Sequence, residues 1–169
     1  MPTEIERKFL LLSEAWRGEV TQSTRMTQGY LSRGAQSSVR VRISGEQAQL
    51  NIKSSRDGIH RLEYEYTIPL TEAQEMLAAV ALPPLIDKTR HLVRRGGHVW
   101  EIDEFHGDNA GLIVAEIELA TADEGFERPA WVGREVSTDP RFYNSTLSER
   151  PLNRWPEPER AAALQPGSA

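Results

Sequence analysis

Glu4-Ile5-Glu6-Arg7-Lys8, running on into Phe9-Leu10-Leu11, is the stretch from which the fold is read. In an extended strand, side chains at i, i+2 and i+4 point the same way. Glu4, Glu6 and Lys8 therefore form a polar ladder on one face, with Ile5, Arg7 and Phe9 behind it. Alternation of this kind is what any strand with one wet face shows. Its weight here comes from recurrence.

The same phase returns along the chain. Ser37 to Ser44 sets Val39, Val41 and Ile43 against Arg40 and Arg42, and Gln47 to Ser55 sets Leu50 and Ile52 against Asn51 and Lys53. Arg56-Asp57-Gly58 carries hairpin-turn chemistry into Ile59 to Ile68, where Leu62, Tyr64 and Tyr66 oppose Glu63 and Glu65. A long hairpin follows: Leu85 to Arg95 with Lys88 and Arg90, a turn at Gly96-Gly97, then His98 to Phe105 with Glu101 and Asp103 opposite Trp100 and Ile102. Leu112 to Ala120 ends the series with Glu116 and Glu118. Arg25 to Leu31 also reads as extended and holds Tyr30.

One helix is clear, from Leu70 to the residues before Pro83-Pro84, with Thr71 as its cap and Met76, Leu77 and Val80 as an apolar stripe suited to covering an outer face. Shorter helices are expected at Ala122-Asp123-Glu124 and from Pro140 to about Glu149. Residues 1–150 read as one domain. The Pro, Glu, Arg and Ala content of residues 151–169 describes a tail that need not be ordered.

With 169 residues, 38% hydrophobic and 27% charged, the chain can bury one core. A net charge of −5 argues against a sequence-independent DNA or RNA binder, which needs a basic footprint. The absence of cysteine excludes disulfides, thiolate metal sites and cysteine nucleophiles. No long apolar run or signal-peptide core is present, so no membrane partner is expected and the cytoplasm is the simplest compartment. Monomer and homodimer both stay open.

Closing such strands into a barrel of about eight gathers their charged faces inside, where small barrels are filled by side chains or hold one ligand. Like-sign carboxylates forced together raise one another's pKa unless a cation lies between them. Acidic ladders in a lumen thus imply a divalent metal, and oxygen-only donors suit hard ions such as Mg²⁺ or Mn²⁺. The arginines and lysines of the same lumen call for an anion, and the guanidinium fork matches phosphate oxygens. His60, His91, His98 and His106 fall off these faces, and nothing pairs them as ligands.

Glu4-x-Glu6-x-Lys8, the Val39-Arg40-Val41-Arg42 strand, Lys88-Thr89-Arg90, Glu101-Ile102-Asp103 and Glu116-x-Glu118 after Gly111-Leu112, in this order, resemble the CYTH superfamily, the triphosphate tunnel metalloenzymes. The resemblance implies a β-dominated α+β fold, a closed eight-stranded antiparallel β-barrel with a few helices outside, binding a small-molecule triphosphate with Mg²⁺ or Mn²⁺. Carried onto these positions, it makes Glu4, Glu6, Glu116 and Glu118 metal ligands, with Glu63, Glu65 and Asp103 at or behind the metal. Lys8, Arg40, Arg42, Lys53, Lys88 and Arg90 become phosphate-binding residues. Lys8, Tyr30 and Glu65 are the catalytic candidates, Tyr30 as a phenol beside Lys8 and Glu65 as a carboxylate near the attacking water. The expected reaction is metal-dependent hydrolysis of triphosphates, foremost inorganic tripolyphosphate to pyrophosphate and orthophosphate. Thiamine or nucleoside triphosphatase, for which Trp16 or Trp131 would supply a platform, class IV-type adenylate cyclase and a non-catalytic polyphosphate-binding module are the alternatives. Arg141, Tyr143 and Asn144 are candidates to line one mouth.

Overall fold

The computed structural model describes residues 3–167. Nine strands run in order: β1 (Thr3–Leu11), β2 (Val20–Arg33), β3 (Ser37–Ser44), β4 (Gln47–Ser54), β5 (His60–Ile68), β6 (Leu82–Arg95), β7 (His98–Phe105), β8 (Ile113–Glu118) and β9 (Val132–Glu135). Every pairing is antiparallel, in the order β5-β4-β3-β2-β6-β7-β8-β1-β9. A further pairing of β1 with β5 closes eight strands into a barrel and leaves β9 as an extra strand. That seam is short, because Thr3, Glu4 and Ile5 pair with Leu62, Arg61 and His60 before β1 turns away towards β9 at Phe9 and Leu11.

The middle of the lumen is polar, so apolar burial is concentrated in three clusters, two on the outer faces and one closing an end. One covers the outer faces of β1, β6, β7 and β8, where Phe9, Val93, Trp100, Ile102 and Ile117 meet Trp16, Leu119 and Trp131 from flanking turns and loops. Another lies under the helix α1 (Leu70–Ala79), whose Ala73, Met76 and Leu77 pack on Val41 and Ala48 of β3 and β4. Gly29 of β2 lets this layer approach, since a Cβ there would stand 2.7 Å from Leu85 Cδ2 and 2.9 Å from Ala81 Cβ.

The third cluster closes one end of the barrel. Leu10, Ile86, Phe105 and Val114 have the same strand phase as Lys8, Lys88, Asp103 and Glu116, one step further along, and they meet Phe142, Leu147, Leu152 and Trp155. Each large side chain removed from water there contributes about 2–3 kcal/mol. The lumen is thus plugged at this end and opens at the other, where Glu4, Glu63, Glu65 and Glu118 surround the mouth.

Several local expectations change. Thr71 is not the cap: Pro69 takes that place without a side-chain hydrogen bond, and Val80 lies exposed beyond the helix. The segment 140–149 is broken into a 3-10 turn (Pro140–Phe142) and the short helix α2 (Asn144–Leu147), because Tyr143 between them is extended. Residues 122–124 form only a turn. In the C-terminal stretch a 3-10 turn (Leu152–Arg154) and α3 (Glu157–Ala163) set Leu152, Trp155 and Ala163, with Leu164 beside them, against the end plug.

Candidate active site

Strand alternation places Glu4, Glu6 and Lys8 of β1, Arg40 and Arg42 of β3, Lys53 of β4, Glu63 and Glu65 of β5, Arg90 and Glu101 of β6 and β7, and Glu116 and Glu118 of β8 on the inner face. All but Lys8 line one central cavity of about 190 Å³, together with Arg61 and Asn144. Its wall contains no apolar side chain. Arg61 shares the phase of Glu63 and Glu65 and could have been read from it, but it breaks the like-sign pairing on which the pattern rests. Asn144 arrives from α2, and no strand period could have placed it.

The cations and carboxylates are partly paired. Lys53 Nζ donates to Glu4 at 3.0 Å and lies 3.2 Å from Glu63, while Arg61 Nε donates to Glu4 Oε2 at 2.6 Å. Lys8 Nζ sits 2.9 Å from Glu116 and donates to the Phe142 carbonyl at 3.1 Å. Glu65 accepts from Asn51 at 2.6 Å and from Gln49 at 2.5 Å, with Arg42 at 3.3 Å. Arg40 is the exception: it is only 6% exposed, yet its side chain has no hydrogen bond or ion pair among the described residues, and its buried Nε is orphaned.

Lys88 and Asp103 do not reach the cavity wall. Asp103 is fully buried and accepts from Lys88 Nζ at 2.6 Å, Arg90 Nε at 2.8 Å and Arg90 Nη2 at 2.8 Å. Burial draws the Lys88 ammonium down to about 8 against the attraction of Asp103. This carboxylate is spent on fixing Arg90, which reaches on to Glu101 and lies 3.5 Å from Glu116. Removing one partner of such a buried set leaves stranded charge, so Asp103→Asn should cost about 3 kcal/mol of stability, measured as a lowered urea midpoint.

The carboxylates separate into two kinds. At Glu4 burial acts upward, but Lys53 and Arg61 outweigh it and hold the carboxyl at about 2. Burial also works against the charge of Glu116, yet Lys8, Arg90 and Lys88 keep it well below the usual carboxylate range. Glu6 goes the other way: burial pushes it up, the charges of Glu116 and Glu4 add to this, and Lys8 and Lys53 offset only part, leaving it at about 7. Burial raises Glu118 too, and Glu4, Glu101 and Glu63 raise it further.

Glu6 and Glu118 stand directly opposite each other on β1 and β8. Glu118 has no cationic partner among the described residues, and Glu6 has only Arg56 at 3.5 Å. Glu6 is crowded by Glu116 and Glu4, and Glu118 by Glu4, Glu101 and Glu63, and oxygen-only groups whose repulsion is not relieved by cations fit a hard divalent cation. Among the described residues no group of three potential ligands is already assembled for one. The reason is visible in the pairing, since Glu4 and Glu116 are engaged by lysine and arginine.

Tyr30 and Lys8 line a second cavity adjoining the first. Trp16 and Trp131, by contrast, are 0% and 2% exposed in the outer apolar cluster, so neither offers a platform to a ligand in the barrel. The two aromatic residues lining these cavities are Tyr30 and Tyr143, and the Tyr143 ring is covered by the Arg56 guanidinium at 4.8 Å. Arg141 turns away to Asp139. Among the described residues, no helix is long and apolar enough to cross a membrane.

Comparison with known proteins agrees with this geometry. An inorganic triphosphatase of Acetivibrio thermocellus is 41% identical over 157 residues, covering 93% of this chain and 100% of the relative. An inorganic triphosphatase of Nitrosomonas europaea is 35% identical over 150 residues, covering 86% and 97%. The crystal structure of an inorganic triphosphatase superposes with a TM-score of 0.63 at 33% identity, covering 88% of this chain and 95% of the other. A solved Pyrococcus horikoshii protein, 19% identical and covering 71% and 80%, shares the fold with a TM-score of 0.57. The CYTH domain model matches residues 2–143, and the chain belongs to the CYTH domain family.

Proposed function

We propose that this protein hydrolyses triphosphates, with inorganic tripolyphosphate as substrate and pyrophosphate and orthophosphate as products. The carrying observation is the central cavity: cations, one of them a buried guanidinium without a partner, face carboxylates crowded beyond what those cations neutralise. A triphosphate with a divalent metal satisfies both walls. The full-length relatives named inorganic triphosphatase support the same reading.

Glu6 and Glu118 would hold the metal, Mg²⁺ or Mn²⁺, joined by Glu4, Glu63 or Glu116 as these exchange lysine and arginine partners. When bound, such an ion neutralises phosphate charge and makes water a better nucleophile. Arg40, Arg42, Lys53 and Arg90 grip the phosphoryl oxygens. Asp103 and Lys88 act from behind, keeping the Arg90 fork aimed at the cavity. Water attacks the terminal phosphorus, its bond to the bridging oxygen breaks, and pyrophosphate leaves. Glu65, oriented by Asn51 and Gln49, takes the proton, while Lys8 and the Tyr30 hydroxyl stabilise the charge passing to the leaving group. Most of the rate comes from positioning and charge neutralisation, as phosphoryl transfer requires.

The apolar and aromatic surface that thiamine or a nucleoside would need is not found on the central wall, which favours the inorganic substrate. Phosphate release from tripolyphosphate, ATP, GTP and thiamine triphosphate, with Mg²⁺, with Mn²⁺ and with chelator, tests the proposal. Metal-dependent turnover led by tripolyphosphate is expected. Turnover that chelator does not touch, or silence on all four substrates, would overturn it.

A further inference from the structure

β9 ends at Glu135, which pairs with Phe9 of β1, and the chain runs on through residues 136–142 into the end plug. Three contacts in that run converge on Lys8. Val136 N donates to the Lys8 carbonyl at 2.8 Å, the Ser137 hydroxyl accepts from the Lys8 amide at 2.9 Å, and the Phe142 carbonyl accepts from the Lys8 ammonium at 3.1 Å. One short segment thus fixes both the backbone and the charge of a single lumen lysine.

Ser137 is the only one of the three that acts through its side chain. It is buried, and its oxygen stands where a ladder carbonyl would lie if β9 continued. A hydroxyl serves such an amide best when its own hydrogen is engaged elsewhere. Ser137 Oγ donates to Glu135 Oε1 at 2.7 Å, and Arg7 grips the same carboxylate through Nε at 2.9 Å and Nη2 at 2.6 Å. Arg7 holds the Glu135 carboxyl below its ordinary range against partial burial, and the Ser137 hydroxyl adds to this. A hydrogen-bond chain therefore runs from Arg7 through Glu135 and Ser137 to the amide of Lys8.

Such a hold matters because the ammonium has a competing neighbour. Lys8 Nζ lies 2.9 Å from Glu116, and lysine is a point charge on a flexible stem. The Phe142 carbonyl is the counterweight, and it is firmly placed, since the Phe142 ring is fully buried and packs edge-on against Trp155 at 5.9 Å. We propose that Ser137 is a positioning residue for the hydrolysis: its hydroxyl locks β1 onto residues 136–142, so that the Lys8 ammonium stays between the Phe142 carbonyl and Glu116 and meets the departing pyrophosphate. The proposal rests on the triphosphatase reading, in which Lys8 stabilises charge that appears only as the bridging bond breaks.

Steady-state hydrolysis of tripolyphosphate with saturating Mg²⁺ or Mn²⁺, and urea midpoints, are measured for wild type, Ser137→Ala, Ser137→Thr, Lys8→Met and the double variant Lys8→Met with Ser137→Ala. Ser137→Ala should lower kcat about tenfold and leave KM within about twofold, as loss of a contact made in the transition state requires. Ser137→Thr keeps the hydroxyl and should recover most of the rate. Lys8→Met should lower kcat about a hundredfold, and on that background Ser137→Ala should cost no more than about twofold further. Stability behaves otherwise. Methionine at position 8 keeps the amide that Ser137 accepts from, so Ser137→Ala should lower the urea midpoint equally in both backgrounds. Glu135→Gln, at a half-buried carboxylate, is the probe if Ser137→Ala does not fold: it loosens the hydroxyl and should lower kcat about threefold, again only where Lys8 is present.

A wild-type kcat in Ser137→Ala, a rise in KM alone, or a loss of kcat equal with and without Lys8 overturns the proposal and leaves the triphosphatase reading standing. A wild type that does not hydrolyse tripolyphosphate at all is the failure of that reading, and the positioning role falls with it.

Discussion

Replacing Arg40 by methionine should lower kcat/KM for tripolyphosphate by about a thousandfold and yet leave the ligand-free protein at least as stable as wild type. The two effects have one cause. Arg40 is buried without an anion, and an unpaired buried charge costs several kcal/mol. It also repels its neighbours, since burial and the Arg40 charge both depress Arg42 and Lys53. Methionine has similar reach, no charge and no polar hydrogen to satisfy. What it cannot do is hold phosphoryl oxygens, where two or three charge-assisted hydrogen bonds are worth about 4 kcal/mol in total. Wild type should therefore melt well above the variant in saturating metal and tripolyphosphate, and no higher without them. A variant that loses ligand-free stability and keeps its turnover would show Arg40 to be a structural residue.

The barrel illustrates what a period of two can and cannot reveal. Alternation at 39–43, 101–103 and 116–118 identifies a face, and all of those charged residues do point inward. Phase says nothing about depth along the axis. Glu101 and Asp103 are indistinguishable in sequence, yet Glu101 lines the cavity while Asp103 is sealed behind it by Lys88 and Arg90. The end plug escapes for a related reason: Leu10, Ile86, Phe105 and Val114 continue the charged faces as ordinary hydrophobic residues, and only closure makes them meet. At the C-terminus the many Pro, Glu, Arg and Ala residues surround the few large apolar side chains, Leu152, Trp155 and Leu164, that pack on the end plug. Asn144 and the adjoining cavity depend on how α2 meets the β2–β3 turn, a long-range contact with no local signature.

Glu6→Gln should abolish metal-dependent turnover, by about a thousandfold or more, while removing a pH dependence of stability that wild type carries between about pH 5 and 8. Turnover is lost because an amide is a poorer ligand than a carboxylate for a hard cation. The stability effect follows from linkage. Burial first, then Glu116 and Glu4, raise the folded-state carboxyl from its ordinary value near 4.5 to about 7. Between those values the folded protein holds a proton that the unfolded chain has released. Its stabilisation is complete below the unfolded value and disappears as pH rises through about 7, a swing of about 3 kcal/mol at ~1.4 kcal/mol per unit. Glu4, held at about 2, acts oppositely and outside this window, contributing stability above about pH 4.5 that is lost in strong acid. Ligand-free wild type should thus lose stability relative to Glu6→Gln from pH 5 to pH 8, and saturating Mg²⁺ with tripolyphosphate should reverse the slope by binding the ionised form. Urea midpoints of both proteins at four pH values measure the difference directly. Parallel curves would mean that the Glu6 carboxyl is not crowded by Glu116 and Glu4, and would remove the electrostatic argument for a metal at this end of the barrel.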